Sequence, residues 1–416
     1  MGDPRRARAV RGADRRGAHL RRRQQRALET PVRARGCAHA AHRGEGNRRL
    51  PGGAHAPRQE PILTRITRVA RLLSDALLVT GSTNVRYLTG LSSSNAALLV
   101  EPDGAAMLYT DFRYAERARA IVGIEVVEIA RDLIGSIGSL LSGRRIAVEA
   151  PHVSYDTYRR LSTAGIDLVP LGSQVGDIAD GPVEDLRRVK EPGEIEAIRR
   201  AGAISDQVFA GLAEERFTGR TETELGWWIE QAFHDAGASS VAFSSIVAAG
   251  TNGASPHAVP GDRPIEAGTL VTVDIGCVVD GYCSDCTRTF ATGELPTQLA
   301  EAYAVCLQAQ LDGLAAARAG AHGRDVDAAS RVAVEAAGLG ERYGHGLGHG
   351  VGLDVHEAPV LRPESFDVLV SGNVVSIEPG IYLPGSGGVR IEDLVVVTEE
   401  GAERLTMFGK ELTLVG

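Results

Sequence analysis

Asp274 and Asp285 bracket Asp280-Gly281, a strong signal for a two-residue hairpin turn between the alternating apolar segments of Thr269–Thr292. With that turn Val279 faces Tyr282, which places Asp274 opposite Thr287 and Asp285 opposite Gly276. The two carboxylates are then diagonal neighbours on one sheet face, roughly 7–8 Å apart at the backbone. Carboxylates that converge repel one another unless a proton or a cation neutralises them, and a divalent metal is the natural solution. Taken alone, the pair also fits two ordinary surface aspartates on a polar face.

Three histidines, His345, His349 and His356, fall in the run Tyr343–Glu357. His345 and His349 have the i, i+4 spacing of a helical zinc motif, but the glycines interleaved with them argue against a helix and no Glu follows the first His. A lone His is usually a satisfied core residue; three in a Gly-rich strand or loop, where backbone can approach a ligand closely, point to a site. Glu378 and Glu392 each interrupt an apolar strand-like run, where a charge is costly unless paired or metal-bound. Arg390 shares a strand face with Glu392, so an Arg390–Glu392 salt bridge is the plain reading of that pair; it leaves Glu378 unexplained. Four carboxylates with one to three His suit Mn²⁺, Co²⁺ or Zn²⁺. Their charge exceeds what one divalent ion balances, so two ions are expected; at about 3.5–4 Å apart they share a hydroxide and clamp a tetrahedral intermediate. Cys283-x-x-Cys286 is a poor zinc knuckle, because residues three apart on a strand face opposite ways and no second pair follows. Cys37, Cys277 and Cys306 have no visible role.

Two sets of elements must position these residues. Over about 61–180, short apolar strands at Leu77–Thr80, Ala96–Val100, Ala105–Tyr109 and Arg145–Glu149 alternate with helical stretches at Tyr114–Ile121 and Leu133–Leu141, an α/β pattern. After Glu191-Pro192 a helix spans Glu194–Leu212, and the capping box Thr221-x-x-Glu224 opens a second that Gly237 ends. Strands follow to Thr292. The order then repeats: a helix over Thr297–Arg318, another from Asp325 as N-cap to Ala337, then strands to Val415. Two units of helix, helix and strands suggest pseudo-symmetric halves with a site between them.

Of the 416 residues 43% are hydrophobic and the net charge is −8, an ordinary balance for a soluble globular chain. No run reaches the roughly 18 apolar residues of a membrane helix, and five scattered cysteines do not make a disulfide scaffold. The charge is unevenly divided: residues 1–60 carry 16 Arg and five acids, a net of +11, and the remainder carries −19. The leader has almost no large apolar residues and is expected to be disordered. It lacks the aromatic residues and folded platform of a nucleic-acid arm, the apolar core of a secretory signal and the Ser of a transit peptide. Arg outnumbers Lys 43 to 2, as a GC-rich coding sequence gives, so upstream codons read as protein are the expectation for this leader.

At these residues the sequence resembles the pita-bread-fold metallopeptidases, in the prolidase and aminopeptidase P branch. The resemblance covers about residues 65–410. It is carried by Asp274-Ile-Gly, Ser284-Asp-Cys-Thr-Arg-Thr289, Gly344-His-Gly-Leu-Gly-His349, His356-Glu-Ala-Pro359, Ile377-Glu-Pro-Gly380, Arg390-Ile-Glu-Asp393 and Asn252-Gly-Ala-Ser-Pro-His257, with Asn84-Val-Arg-Tyr-Leu-Thr-Gly90 and Asp111-Phe-Arg-Tyr114 in the N-terminal part. It implies an α+β fold: a pita-bread catalytic domain with pseudo-twofold halves over 184–416, preceded by a smaller α/β creatinase-like domain over 61–183. It implies that Asp274 and Asp285 bind one metal, His349 and Glu378 a second, and that Asp285 and Glu392 bridge them. The implied reaction is hydrolysis of the Xaa-Pro bond in short peptides, by a dipeptidase or an aminopeptidase P, with Mn²⁺ first among the candidate ions. Glu378 would carry a proton, and His257 and His356 would bond the substrate carbonyl. His345 would line the proline pocket, Tyr382 would support the metal shell and Arg390 would hold a ligand carboxylate. The expected setting is cytoplasmic, as a homodimer or higher homo-oligomer, with no nucleic-acid or membrane partner. Methionine aminopeptidases share the core and the five ligands but usually lack the N-terminal domain and the His345 and Arg390 positions. Such an enzyme, or a non-catalytic peptide-binding relative, is the alternative.

Overall fold

The computed structural model describes residues 62–416, and the expectations for the basic leader lie outside the described residues. In the N-terminal part helices and strands alternate as α1 (Ile62–Ala70), β1 (Ala76–Val79), α2 (Ser82–Thr89), β2 (Ala96–Val100), β3 (Ala106–Asp111), α3 (Phe112–Arg119), β4 (Glu125–Ile129), α4 (Leu133–Leu140), β5 (Arg145–Glu149), α5 (Tyr155–Thr163) and β6 (Asp167–Leu171). The strands form one mixed sheet in the order β4-β3-β2-β1-β5-β6. Its central strands are apolar throughout, as strands covered on both faces must be, and Leu77, Leu78, Leu98 and Leu99 are fully buried. Side-chain caps start the helices: Asp111 accepts from Arg113 N and Ser154 from Thr157 N. A small hairpin, β7 (Ser173–Val175) and β8 (Ile178–Asp180), and α6 (Pro182–Arg187) complete this part.

The second part opens with α7 (Pro192–Glu214) and α8 (Glu222–Asp235). Both bonds of the Thr221/Glu224 capping box are present. Phe209, Leu225, Ile229 and Phe233 bury one helical face each against the strands that follow. These are β9 (Ser240–Val241), β10 (Ile246–Ala249), β11 (Leu270–Ile275), β12 (Cys277–Val279), β13 (Tyr282–Cys283) and β14 (Cys286–Ala291). The helix pair recurs as α9 (Thr297–Ala316) and α10 (Gly323–Ala336), followed by β15 (Gly348–Gly350), β16 (Glu357–Leu361), β17 (Val374–Ile377), β18 (Gly380–Leu383), β19 (Gly387–Arg390), β20 (Asp393–Val397), β21 (Ala402–Arg404) and β22 (Thr413–Leu414). The helix, helix, strands order therefore repeats as expected. One start differs: α10 begins two residues before Asp325, with His322 in the extended cap position. Asp325 lies in the first turn, where its charge meets the exposed amides of the helix end.

A buried polar network joins the two parts. Asn84 donates to Glu149 and Glu184 and accepts from Arg187 Nη1, and Arg187 reaches Asp354 and Glu357. Glu149, His152 and Glu184 lie close enough to hold an ion. Their carboxylates are already engaged by Thr80 N, Gly81 N, Asn84 and His152. Burial pushes the Glu357 carboxyl up, but Arg187 and Lys190 more than offset it and lower it from 4.5 to about 2. A carboxyl lowered by folding stabilises the fold above its unfolded value, and that stability is lost as pH falls toward the folded one. Glu357→Gln is therefore expected to cost about 3–5 kcal/mol at pH 7, by leaving Arg187 and Lys190 partly unpaired in the interior. In urea titrations of the metal-free protein the gap to the parent should shrink between pH 4.5 and about 2; a gap independent of pH would contradict the assignment.

Candidate metal centre and cleft

The hairpin pairing predicted from Asp280-Gly281 is observed. Val279 faces Tyr282 and Asp274 faces Thr287, and Asp280 takes the left-handed φ of 51° that the turn requires. Asp274 on β11 and Asp285 just before β14 come together, and the residues linking β19 to β20 add Glu392. One carboxylate oxygen from each of the three lies within 4.8 Å of the others. Burial drives the Asp285 carboxyl well above its usual value, with Glu392 and Asp274 adding repulsion. Glu392 is raised in the same way by burial and then by Glu378, and Asp274 is raised by burial despite Arg390.

The Arg390–Glu392 salt bridge expected from their shared strand is not formed. Arg390 Nη2 bonds Asp274 at 2.7 Å, Nε bonds Thr287 Oγ1 at 3.1 Å and Nη1 bonds Tyr382 at 3.0 Å. The chain turns away from strand geometry after Arg390, and β19 and β20 belong to different sheets. Glu392 therefore points elsewhere, and it accepts from Thr287 Oγ1 at 2.8 Å through Oε2. Asp274 Oδ1 and Glu392 Oε1 are buried without any hydrogen-bond partner. Buried oxygens of this kind are costly unless something electropositive fills the space between them. That orphaned pair, inside an all-oxygen cluster of high negative charge, fits divalent cations.

His349 and Glu378 lie beside the cluster. His349 sits on β15, which confirms that the glycine-interleaved run is not a helix. A Cβ on Gly348 would fall 2.0 Å from Ser376 O, so only Gly lets β15 close on β17. A bulge between His349 and Gly350 re-aims the imidazole. His349 Nε2 is 3.1 Å from Glu378 Oε1 and 3.8 Å from Asp285 Oδ2. Ser376 donates to Glu378 at 2.8 Å and accepts from His349 N at 3.1 Å. Burial would raise Glu378, but the His349 hydrogen bond and charge dominate and bring it to about 2.

Asp274, Asp285, His349 and Glu378 line a cleft of about 610 Å³ that also holds His257, His345, His356, Tyr382 and Arg390, and Glu392 adjoins it through the carboxylate cluster. Every residue expected at the site is thus in one place. His345 Nε2 meets the Tyr382 hydroxyl at 2.9 Å. Burial pushes that phenol up to about 12, so it stays neutral and can serve as a hydrogen-bond partner. The His356 ring stacks edge-on to His349, with centroids 4.3 Å apart. The four cysteines among the described residues are free, with Cys283 Sγ on Leu353 O and Cys286 Sγ on Glu392 O, two separate places.

Sequence reasoning missed several wall residues. Asp177 and Ile178, from the β7–β8 hairpin, reach the cleft: Asp177 pairs with His356 Nδ1 and Ile178 lines the wall. Gly176-Asp177 between two short runs was the available turn signal. Phe243, Val360 and Arg362 also line the cleft. Arg362 makes no ion pair among the described residues, and its Nε is buried without a partner.

Residues 65–189 match the Creatinase/Prolidase N-terminal domain and residues 196–399 match metallopeptidase family M24. The chain is 34% identical over 341 residues to a Xaa-Pro dipeptidase of Pyrococcus furiosus, covering 81% of this chain and 95% of that one. A Xaa-Pro dipeptidase structure from Bacillus anthracis superposes with TM-score 0.80 at 36% identity, over 85% of this chain and 99% of that one. An X-Pro aminopeptidase structure from Thermotoga maritima does so with TM-score 0.74 at 33% identity, over 84% and 100%. The fold is thus the pita-bread catalytic domain behind a creatinase-type N-terminal domain, and the chain belongs to metallopeptidase family M24.

Proposed function

We propose that this metallopeptidase hydrolyses the Xaa-Pro bond of short peptides with two divalent ions. The observation that carries the reading is the buried set Asp274, Asp285 and Glu392 beside His349 and Glu378, in a cleft that also presents three further histidines. Asp274 and Asp285 would hold one ion, His349 and Glu378 the other, and Asp285 and Glu392 both. Mn²⁺ is the proposed ion, with Co²⁺ and Zn²⁺ as alternatives. Bound ions of this kind supply Lewis acidity, lowering the pKa of water and offsetting charge on a carbonyl oxygen.

The chain's own groups do the rest. Glu378 takes the proton of the attacking water and returns it to the leaving proline nitrogen. His257 and His356 donate to the substrate carbonyl, whose oxygen gains charge in the transition state. His345 and Tyr382, locked to each other, wall the proline pocket. Arg390 holds Asp274 in register. Asp177 faces Nδ1 of His356, which leaves the other ring nitrogen for substrate.

Arg362 bears on substrate length, because an unpaired guanidinium in the cleft wall suits a carboxylate held close to the scissile bond. A series from Ala-Pro to a pentapeptide, run with each metal, is expected to favour the dipeptide. Arg362→Ala should remove that preference by raising KM for the dipeptide about tenfold or more, the cost of one lost charge-assisted bond. Equal loss at all lengths would contradict this role. We further propose a cytoplasmic homodimer or higher homo-oligomer without nucleic-acid or membrane partners. No helix among the described residues is long and apolar enough to cross a membrane. Light scattering tests the assembly, and a monomer mass would overturn it.

A further inference from the structure

Glu222 lies outside the cleft, yet its buried carboxylate is spent on the loop that delivers His257. It occupies the first turn of α8. Its Oε1 accepts the amide of Ala249 at 2.6 Å, and its Oε2 accepts the amide of Gly261 at 2.7 Å and the side-chain amide of Asn252 at 2.8 Å. Ala249 and Gly261 are the two ends of the segment carrying His257, and Asn252 also donates across that segment to Val259 O at 3.1 Å. Glu222 is only 6% exposed. Bonds from neutral donors to a charged acceptor are about twice as strong as neutral pairs, and the helix N-terminus favours the charge.

His257 has no such support of its own. It is exposed and makes no hydrogen bond among the described residues, so the backbone of its loop alone sets where the ring stands. One further tie acts from the cleft side: Arg390 Nη1 donates to Pro256 O at 3.3 Å. The loop is therefore held at its tip by a residue of the centre and at its base by Glu222, beside which Thr223 N and Oγ1 both donate to Gly261 O at 3.2 Å.

We propose that Glu222 is a positioning residue, a carboxylate clamp that closes the base of segment 249–261 and thereby holds His257 over the substrate carbonyl. The proposal rests on the reading of His257 as a substrate-binding group. In Glu222→Gln the amide nitrogen must face an N–H donor, so at least one of the three bonds is lost without a change of shape.

The test is a double-mutant cycle on the metal-loaded full chain with Ala-Pro, combining Glu222→Gln with His257→Ala. Glu222→Gln is expected to lower kcat/KM about tenfold or more, and to cost less than about twofold once His257 is gone. Equal losses in both backgrounds would show that Glu222 does not act through His257. Hydrogen exchange of the metal-free protein gives a readout independent of activity. Amides of 249–261 should exchange faster in Glu222→Gln while those of β11 and β14 keep the parent rate; unchanged exchange in the loop would overturn the clamp. If His257→Ala alone leaves hydrolysis intact, the role given to His257 fails and the positioning claim with it, whatever the exchange shows. Glu222→Asp, which keeps the charge but withdraws it by one methylene, serves if the Gln variant does not fold.

Discussion

Asp285→Asn is expected to lower kcat/KM on Ala-Pro about a thousandfold or more, on the order of 4 kcal/mol of transition-state stabilisation. Asp285 is the acid most crowded by its fellows. Burial, with the charges of Glu392 and Asp274, pushes its carboxyl well above the usual carboxylate range in the metal-free protein, and His349 lies 3.8 Å away. An amide keeps the shape and loses the ligand charge, so bound metal should fall from two ions per chain to one or none. The fold should not suffer. Removing one charge from a buried, mutually repelling set relieves a cost that the metal-free protein carries. The metal-free variant is therefore expected to melt at the same temperature as the parent or higher, by calorimetry. Hydrolysis within about tenfold of the parent, close to 1.4 kcal/mol, would remove Asp285 from the metal set.

Arg390→Leu should behave in the opposite way, as a stability variant first. Arg390 is only 4% exposed, and its guanidinium holds Asp274, Thr287, Tyr382 and the Pro256 carbonyl together. Deleting it leaves the Asp274 carboxylate buried beside two other acids with no cation near. Breaking a buried pair from one side costs about 3–5 kcal/mol, because a charge is left uncompensated. Urea denaturation of the metal-free protein at pH 8 reads this directly. Adding Asp274→Asn should recover at least half of the loss, since the stranded charge is then gone. A double variant no more stable than Arg390→Leu alone would show that the cost comes from the other contacts. Activity falls in both variants.

What the sequence carried and what it did not follows from range. Asp280-Gly281 specifies a turn, a turn specifies register, and register placed Asp274 against Thr287 as observed. The glycines around His345 and His349 excluded a helix because each carries a local backbone cost. The resemblance gave Arg390 a ligand carboxylate to hold, and Asp274 is that carboxylate; strand periodicity offered only Glu392, because periodicity relates residues within a strand and Asp274 reaches Arg390 through the packing of β19 across β11. Asp177 reaches the cleft because of how the two parts meet, and Arg362 because β16 pairs with β15 beside Gly346, neither of which a local pattern encodes. Glu222 was hidden in plain view: it stands inside a capping box whose signal belongs to Thr221 and Glu224, while its own carboxylate serves a loop some thirty residues on.

The clustered acids and histidines are expected to act together as an Xaa-Pro peptidase. The most direct measurement is the ratio of kcat/KM for Ala-Pro and Ala-Pro-Ala to that for Met-Ala-Ser, on protein stripped of metal and reloaded with Mn²⁺, Co²⁺ or Zn²⁺. No turnover is expected when stripped, and on reloading the proline peptides should be preferred by about a hundredfold or more, near 2.7 kcal/mol. Preference for Met-Ala-Ser, or undiminished turnover in the stripped protein, would contradict it.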